Sequence, residues 1–153
     1  MKILVISDTH TNTSALQKVI DSHPECELIL HMGDGINDLR RVDRKGMGFV
    51  AVRGNCDRYE TDEEEQHTVK IENIKIFMTH GHRYNVKSTK DLILAKSLRE
   101  CADVCLFGHT HIAFKEYRNG VLMLNPGSLG YDGRYMIIDT KDLNRVEIFD
   151  NNM

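Results

Sequence analysis

Short apolar segments rich in β-branched residues recur along the chain and indicate buried strands. Their nearly continuous hydrophobicity is typical of strands covered on both faces of a sheet. The five segments are residues 3–6, 28–32, 49–52, 74–78 and 104–107. Because helical patterns separate some of them, the early part of the chain predicts right-handed β-α-β units.

Two further segments have apolar residues at helical spacing and predict amphipathic helices. The first runs from residue 14 to about residue 22, with Ser14 as its candidate N-cap. The second runs from residue 88 to about residue 99, where Ser88 and Asp91 resemble a capping box with Asp in place of Glu.

The last third of the chain has an antiparallel pattern. Residues 113–117 and 121–124 flank an Asn-Gly pair, which is the strongest short signal for a hairpin. Two more strands are predicted near residues 134–139 and 145–149. The whole pattern predicts an α/β fold with two packed mixed β-sheets flanked by helices, in a single domain over residues 1–153.

Composition and charge exclude several classes of protein. The chain has 153 residues, 41% of them hydrophobic and 28% charged, as in an ordinary globular domain. With 20 Lys and Arg against 23 Asp and Glu, its net charge is −3, so stable nucleic-acid binding is not expected. No apolar run reaches the roughly 18–20 residues that a membrane span needs, and the N-terminus does not resemble a signal peptide. A cytoplasmic location without membrane association is therefore expected.

The four cysteines, Cys26, Cys56, Cys101 and Cys105, are expected to be reduced thiols, because the chain shows no export signal. Since none is in a Cys-x-x-Cys spacing, a structural zinc site is not expected. Cys101 and Cys105 are interpreted as small buried hydrophobic residues.

Each of the five predicted strands is followed by groups that can bind a metal. The motifs are Asp8-Thr9-His10, Gly33-Asp34, Gly54-Asn55-Cys56-Asp57, His80-Gly81-His82 and Gly108-His109-Thr110-His111. Loops at the carboxyl ends of strands form the binding crevice of open α/β sheets, and the glycines allow close approach of the backbone. We therefore expect these groups to converge.

Taken alone, each motif has an ordinary explanation, since Asp8 would suit a helix cap and His80 a hydrogen-bonded core position. Five of the eight histidines lie in these motifs, however, and their conjunction favours a metal site. Imidazole, carboxylate and amide ligands without a thiolate set suit Mn, Fe, Zn or Ni. The number of ligands suits two ions, with Asp34 as a candidate bridge.

In this order, the motifs resemble those of the calcineurin-like metallophosphoesterase superfamily. Together with Asn125-Pro126-Gly127-Ser128, they look most like its small YfcE-type phosphodiesterase branch, over nearly the whole chain. The resemblance implies an α/β/β/α sandwich and hydrolysis of a small or nucleotide-like phosphodiester. It also implies two divalent metal ions per chain, with Mn²⁺ favoured over Ni²⁺, Zn²⁺ or Fe²⁺, and a homo-oligomer.

The resemblance further implies which residues hold each ion. They are Asp8, His10, Asp34 and His111 for one ion, and Asp34, Asn55, His80 and His109 for the other. A hydroxide bridging the ions would attack phosphorus, since metal binding brings the pKa of water near neutrality. Asp57 would orient a ligand histidine through its free ring nitrogen.

Cys56 departs from the superfamily pattern Gly-Asn-His-Asp/Glu, whose histidine contacts the substrate phosphate and helps protonate the leaving group. A thiol with a pKa of about 8.5 donates only weakly, so we expect a preference for diesters over monoesters. His82 is a candidate substitute acid, or else a supporting or surface histidine. Cys56 as an additional metal ligand is a further alternative. The candidate catalytic residues are Asn55, Cys56, Asp57 and His82.

Other interpretations remain open. A retromer subunit of the same superfamily serves in assembly, so a protein-binding scaffold is the alternative from another class, and a phosphomonoesterase is a third. All seven expected ligand positions hold competent residues, which favours chemistry. The turn at residues 125–128 is expected to support the site by packing. Arg58, Tyr59 and Arg83 are candidates for substrate contacts or ordinary surface residues.

Overall fold

The computed structural model describes residues 1–57 and 61–151, which form ten strands and three α-helices. The strands are β1 (Lys2–Ile6), β2 (Leu28–His31), β3 (Gly48–Ala51), β4 (Gln66–Ile71), β5 (Ile74–Thr79), β6 (Val104–Leu106), β7 (Phe114–Arg118), β8 (Val121–Asn125), β9 (Arg134–Asp139) and β10 (Asp142–Asp150). The helices are α1 (Thr13–Ser22), α2 (Asp91–Arg99) and α3 (Leu129–Asp132). Short 3₁₀ helices cover Ile36–Arg40 and His82–Tyr84.

The strands form two mixed sheets of five strands each. The first has the order β10-β9-β1-β2-β3, in which β1, β2 and β3 are parallel and β9 and β10 are antiparallel. The second has the order β4-β5-β6-β8-β7, with β5, β6 and β8 parallel between antiparallel edge strands. Because α1 connects the parallel strands β1 and β2, the predicted β-α-β unit is confirmed, as is the fold class.

The two sheets pack face to face, and helices cover their outer faces. In β1, Ile3 and Val5 face a core shared with the second sheet, whereas Leu4 and Ile6 face the core beneath α1. The outer face of the second sheet is covered by α2. This alternation explains why the sequence of β1 is apolar at successive positions, since both of its faces are buried.

Both predicted helix starts are corrected by the structure. The N-cap of α1 is Asn12 rather than Ser14, because Asn12 Oδ1 accepts a hydrogen bond of 3.1 Å from the Ala15 amide. The capping box predicted at Ser88 is wrong, since α2 begins at Asp91. The amides of Ser88 and Thr89 both donate to the Asn85 carbonyl, so these residues form a turn before the helix.

The hydrophobic pattern does not predict β4, and it predicts a shorter β10, near residues 145–149, than the observed Asp142–Asp150. Most residues of β4 are only partly buried, and its sequence has two strongly apolar residues, Val69 and Ile71, so the hydrophobic signal is weak for this edge strand. The pairing of β10 with β9 shifts register between Asp142 and Val146, which hides the strand's first residues from a simple alternating pattern.

The four cysteines are free, as expected. Cys105 is buried in β6, but the prediction of burial is wrong for Cys101, which is exposed in the turn after α2. None of the helices in the described ranges is long and apolar enough to span a membrane.

His31 ends β2 as a fully buried histidine beneath the candidate site. Its Nδ1 accepts a hydrogen bond of 3.0 Å from the Gly33 amide, and its Nε2 lies 3.3 Å from Thr9 Oγ1. The Thr9 hydroxyl in turn donates to Asp38 Oδ2 at 2.6 Å. Burial lowers the pKa of His31 to about 4, so the folded chain holds this ring neutral.

We expect the folded chain to lose stability in mild acid because of His31. Its pKa in the unfolded chain is about 6.5, so the unfolded state binds more protons below that pH. Relative to neutral pH, His31 alone lowers the free energy of unfolding by about 2 kcal/mol at about pH 5. Urea unfolding of the metal-free chain across this range measures the slope. His31→Asn keeps an acceptor for the Gly33 amide and should flatten the profile; a profile parallel to that of the native chain contradicts the assignment.

Candidate metal centre

The carboxyl ends of β1, β2, β5 and β6 bring the predicted histidines and carboxylates to one edge of the sandwich. Asp8 and His10 follow β1, Asp34 follows β2, His80 follows β5, and His109 and His111 follow β6. The predicted convergence of strand ends is therefore present in the structure. The six side chains form two adjoining groups.

The first group consists of Asp8, His10 and His111. The Oδ1 atom of the fully buried Asp8 lies 3.0 Å from His111 Nε2 and 3.5 Å from His10 Nε2. The two imidazole nitrogens are 3.4 Å apart. All three ligand atoms therefore face one small volume.

The second group consists of Asp34, His80 and His109. His80 Nε2 lies 3.2 Å from Asp34 Oδ2 and 3.2 Å from His109 Nδ1. On its other side, His80 Nδ1 lies 2.7 Å from the Met32 carbonyl, to which it donates. This bond leaves Nε2 as the nitrogen that faces the group, the usual arrangement of a metal-ligating histidine.

Asp34 lies between the two groups. Its Oδ2 atom is 3.2 Å from His80 Nε2 and 4.0 Å from His10 Nε2. Metal–nitrogen bonds of about 2.1 Å at tetrahedral angles place neighbouring ligand atoms about 3.4 Å apart, close to the spacings within each group. Imidazole and carboxylate donors also suit a divalent transition metal. The residues therefore fit a divalent metal centre.

Five of these six residues have left-handed backbone conformations. The φ angles are 53° at Asp8, 44° at His10, 58° at Asp34, 67° at His109 and 60° at His111. Residues other than glycine rarely adopt this region, and each such residue costs about 1 kcal/mol or more. Strain of this kind is concentrated at functional sites, so its position supports the metal centre.

Two glycines permit the close approach of the loops. A Cβ atom at Gly54 would lie 2.1 Å from Asp34 Oδ1, and one at Gly108 would lie 2.0 Å from Ser7 Oγ. The first would displace a candidate ligand, and the second would displace the side chain that donates to Asp8. These positions therefore require glycine for the site to form.

The protonation of the second group is set by burial and by its own charges. Burial acts to lower the pKa of His80, but the hydrogen bond with Asp34 and the charge of Asp8 outweigh it and raise the pKa. Burial acts to raise the pKa of Asp34, but His80 and the Cys56 amide together lower it. Desolvation and the charge of His80 lower the pKa of His109 to about 4. Protonation of His80 therefore competes with metal binding at this group.

Asp57 has a different role from the one predicted. Its carboxylate accepts hydrogen bonds from the amides of Asp34 at 2.7 Å, Gly35 at 2.8 Å, Gly54 at 2.9 Å and Ile36 at 3.2 Å. The prediction that it orients a ligand histidine differs from this structure, in which backbone amides are its partners. Asp57 therefore joins the loop after β2 to the loop after β3.

The other predicted residues of this loop lie at the edge of the cluster. The exposed Asn55 side chain contacts Cys56, with Nδ2 3.5 Å from Sγ, and within the described residues it forms no hydrogen bond with the six clustered side chains. Cys56 Sγ lies within 4.8 Å of ligand atoms of His10 and Asp34. Burial and the charge of Asp34 raise the pKa of the Cys56 thiol, so it is protonated at neutral pH.

His82 lies beside the second group, with its ring centroid 5.5 Å from that of His80. Its Nδ1 is buried without a hydrogen-bond partner in the described ranges, and its Nε2 is 3.8 Å from Glu65 Oε1. Burial and the charge of His80 lower the pKa of His82. Arg83 is exposed and paired with Glu65, whereas Arg58 and Tyr59 lie outside the described residues.

The turn at residues 125–128 supports the ligand loops, as expected. The Asn125 side-chain amide donates to the Gly108 carbonyl at 2.9 Å and to Thr110 Oγ1 at 3.0 Å. The Ser128 hydroxyl donates to the Asp8 carbonyl at 2.9 Å. The turn thereby holds the loop after β1 against the loop after β6.

A cleft of about 430 Å³ opens beside the cluster, and part of its wall was missed by the sequence interpretation. It is lined by His10, Thr11, Asp34, Gly35, Asn37, Asp38, Arg41, Cys56, Asp57 and Tyr131. No motif marks Arg41 or Tyr131, which reach the site only through the fold. Of the six clustered side chains, His10 and Asp34 line this cleft, so a ligand in it would lie beside the candidate metal centre.

A two-sheet sandwich with histidines and carboxylates converging at one edge has the architecture of a protein with a metal centre. The chain belongs to the calcineurin-like phosphoesterase superfamily, whose domain model matches residues 1–143. It is 35% identical over 130 residues to the probable metallophosphoesterase YsnB of Bacillus subtilis, covering 84% of this chain and 75% of that protein. It is 25% identical to the phosphodiesterase YfcE of Escherichia coli K12 in an alignment of 183 positions, which covers 100% of this chain and 95% of that protein. The predicted family is therefore confirmed.

The same fold occurs in Vps29, a protein whose name does not describe a phosphoesterase. The structure of Vps29 from Entamoeba histolytica complexed with Zn²⁺ has a TM-score of 0.77 and 21% identity, covering 98% of this chain and 99% of that one. At this identity the likeness shows the shared fold alone.

Proposed function

We propose that this chain is a binuclear metal-dependent phosphodiesterase that hydrolyses small or nucleotide-like phosphodiesters. The observation that carries the proposal is the convergence of two histidine–carboxylate groups with Asp34 between them. The relationship to YfcE, named a phosphodiesterase, supports the type of ester. We further propose that residues 1–153 act as one domain.

In this proposal, Asp8, His10, Asp34 and His111 hold one divalent ion, and Asp34, Asn55, His80 and His109 hold the other, with Mn²⁺ favoured. When bound, such ions lower the pKa of coordinated water and offset the charge that builds on the phosphoryl oxygens. For Asn55 to join the second group, its exposed side chain would have to turn away from Cys56.

The residues around the ligands hold and orient them. The Met32 carbonyl fixes the ring of His80, and Asp57 fixes the backbone around Asp34 and Gly54. His82 is neutral at neutral pH because its pKa is lowered, so we propose that it donates an N–H to the substrate as a neutral ring. Cys56, protonated in the cleft, offers a weak donor to the leaving group.

Replacing Cys56 with histidine should increase the hydrolysis of esters with poor leaving groups. An imidazole has a pKa near neutrality and donates a proton far better than the thiol, and such acid catalysis is worth about a hundredfold or more when well placed. We expect a rise of about tenfold on an alkyl phosphate ester and less on an activated p-nitrophenyl ester. Cys56→Ser is the matched control and should give no rise. Equal gains on both esters, or gains in the serine variant, contradict this role.

The proposed function is tested with metal-stripped protein reconstituted separately with Mn²⁺, Ni²⁺, Zn²⁺ and Mg²⁺. Each sample is assayed on bis-p-nitrophenyl phosphate and on p-nitrophenyl phosphate, with His109→Ala as a variant that lacks one ligand. Metal-dependent cleavage that favours the diester and is lost in the variant supports the proposal. Faster cleavage of the monoester contradicts the proposed type of ester.

A protein-binding scaffold is the alternative function, because the fold shared with Vps29 does not by itself imply catalysis. The intact set of clustered histidines and carboxylates favours a catalytic function over a scaffold function. If the reconstituted chain holds two ions and cleaves no phosphoester, the scaffold becomes the better account. A cytoplasmic location and a homo-oligomer stay predictions from the sequence.

A further inference from the structure

An exposed aromatic ring, that of Tyr131, lies directly beside the metal centre. Its centroid is 4.9 Å from that of His10 and 5.3 Å from that of His111, with interplanar angles of 36° and 37°. Although these imidazoles cover part of the ring, Tyr131 remains 64% exposed. A large apolar surface is thus presented to the cleft next to two candidate metal ligands.

The position of Tyr131 is fixed by the loop that carries Asp8. The Tyr131 amide donates to Ser128 Oγ at 3.1 Å, and the Ser128 hydroxyl donates to the Asp8 carbonyl at 2.9 Å. The Gly130 amide also donates to the Asp8 carbonyl at 3.0 Å. The backbone that carries the tyrosine is therefore held in place relative to the metal ligands before any substrate binds.

The same cleft contains polar groups suited to a heterocycle. Arg41 and Asn37 line it together with His10 and Tyr131. Arg41 is exposed on the cleft wall and forms no salt bridge with another residue in 1–57 or 61–151, so its guanidinium can donate to a ligand. The volume of about 430 Å³ lies within the usual range for small-molecule sites. An aromatic wall with neighbouring hydrogen-bond donors fits a nucleobase better than an alkyl chain.

We propose that Tyr131 is a specificity-determining residue that stacks against the nucleobase of a nucleotide-like substrate arm, with Arg41 and Asn37 contacting the polar groups of that arm. The inference rests on the proposed phosphodiesterase function, since it concerns a substrate arm whose phosphate lies at the metal centre. Stacking is tolerant of base identity because every base has an aromatic face. Tyr131 therefore selects for the presence of a base rather than for one particular base.

The test compares two phosphate ligands that differ only in the base. Dissociation constants of AMP and ribose 5-phosphate are measured by calorimetry on the Mn²⁺-reconstituted chain. We expect AMP to bind about tenfold more tightly, as stacking against one aromatic side chain allows. Tyr131→Ala should remove this difference, and Tyr131→Phe should preserve it. If the role of Tyr131 were merely structural, Tyr131→Ala would weaken the binding of both ligands equally and leave the ratio of their dissociation constants unchanged.

Matched controls separate this site from other surfaces. Tyr117, which is 54% exposed on the edge strand β7, provides Tyr117→Ala, a variant that should keep the AMP preference. Equal affinities of AMP and ribose 5-phosphate for the native chain overturn the inference. So does a preference that survives Tyr131→Ala but is lost in Ile112→Ala, because it places the base in the separate groove lined by Val86, Ile112 and Phe114.

The same preparation is assayed on bis-p-nitrophenyl phosphate, so the two hypotheses can fail separately. Hydrolysis of this diester together with equal binding of AMP and ribose 5-phosphate overturns the Tyr131 assignment and leaves the phosphodiesterase proposal standing. A Tyr131-dependent preference for AMP without hydrolysis of any diester supports the stacking site and overturns the proposed function.

Discussion

The Asp34→Asn variant should lose at least about a thousandfold in kcat/KM on bis-p-nitrophenyl phosphate, because metal-ion catalysis contributes several kcal/mol to such reactions. The substitution preserves the size of the side chain but removes the negative charge between the two ligand groups. Without that negative charge, less of the electrostatic repulsion between two adjacent cations is offset. We therefore also expect the metal content to fall from two ions per chain to one or fewer.

The measurement pairs steady-state kinetics with elemental analysis of the dialysed protein. Asp21→Asn is the matched control, because Asp21 is half exposed on α1, in the first-sheet layer away from the ligand loops. It should keep both the activity and the metal content. An Asp34→Asn variant that holds two ions and retains activity within about tenfold of the native chain contradicts the bridging role.

The Asp57→Ala variant should be the most damaging substitution for stability near the site. It removes the acceptor of four backbone amides, those of Asp34, Gly35, Ile36 and Gly54. Unsatisfied amides and lost charge-assisted bonds together should lower the free energy of unfolding by about 2–4 kcal/mol. Because the same bonds hold Asp34 in place, metal affinity should fall about 10–100-fold.

Urea unfolding and metal titration measure these two effects. Asp57→Asn retains one acceptor oxygen and should give an intermediate loss. Asp62→Ala makes the same change at an exposed position five residues along the chain and should be neutral. The role of Asp57 is contradicted if the free energy of unfolding of Asp57→Ala lies within about 0.5 kcal/mol of the native value and the variant binds metal equally well. Other contacts would then hold the two loops together.

The sequence predicted the layers of the fold where hydrophobic burial dominates. In β1 both faces are covered, so the apolar run was unambiguous. In β4 the side chains are mostly half-buried at a sheet edge, and the apolar signal was too weak to predict a strand. The start of α2 was misplaced because the backbone turn at Asn85 overrides the local capping pattern of Ser88 and Asp91.

The candidate site was predictable as a set of residue types but not as a set of contacts. The motifs identified Asp8, Asp34 and His80, because metal-binding chemistry restricts the residue types that follow each strand. The four amide contacts of Asp57 depend on how two loops meet, which no local pattern encodes. The left-handed backbone at His10 is likewise imposed by the fold, since the local sequence offers no glycine at that position.

The most direct test of the binuclear centre is an anomalous difference map from a crystal of the Mn²⁺-loaded protein, recorded at the manganese absorption edge. We expect two peaks about 3.5–4 Å apart, as in two-metal phosphoesterase sites. One peak should contact Asp8, His10 and His111, the other His80 and His109, and Asp34 should contact both. A single peak, or peaks outside these side chains, would contradict the binuclear centre.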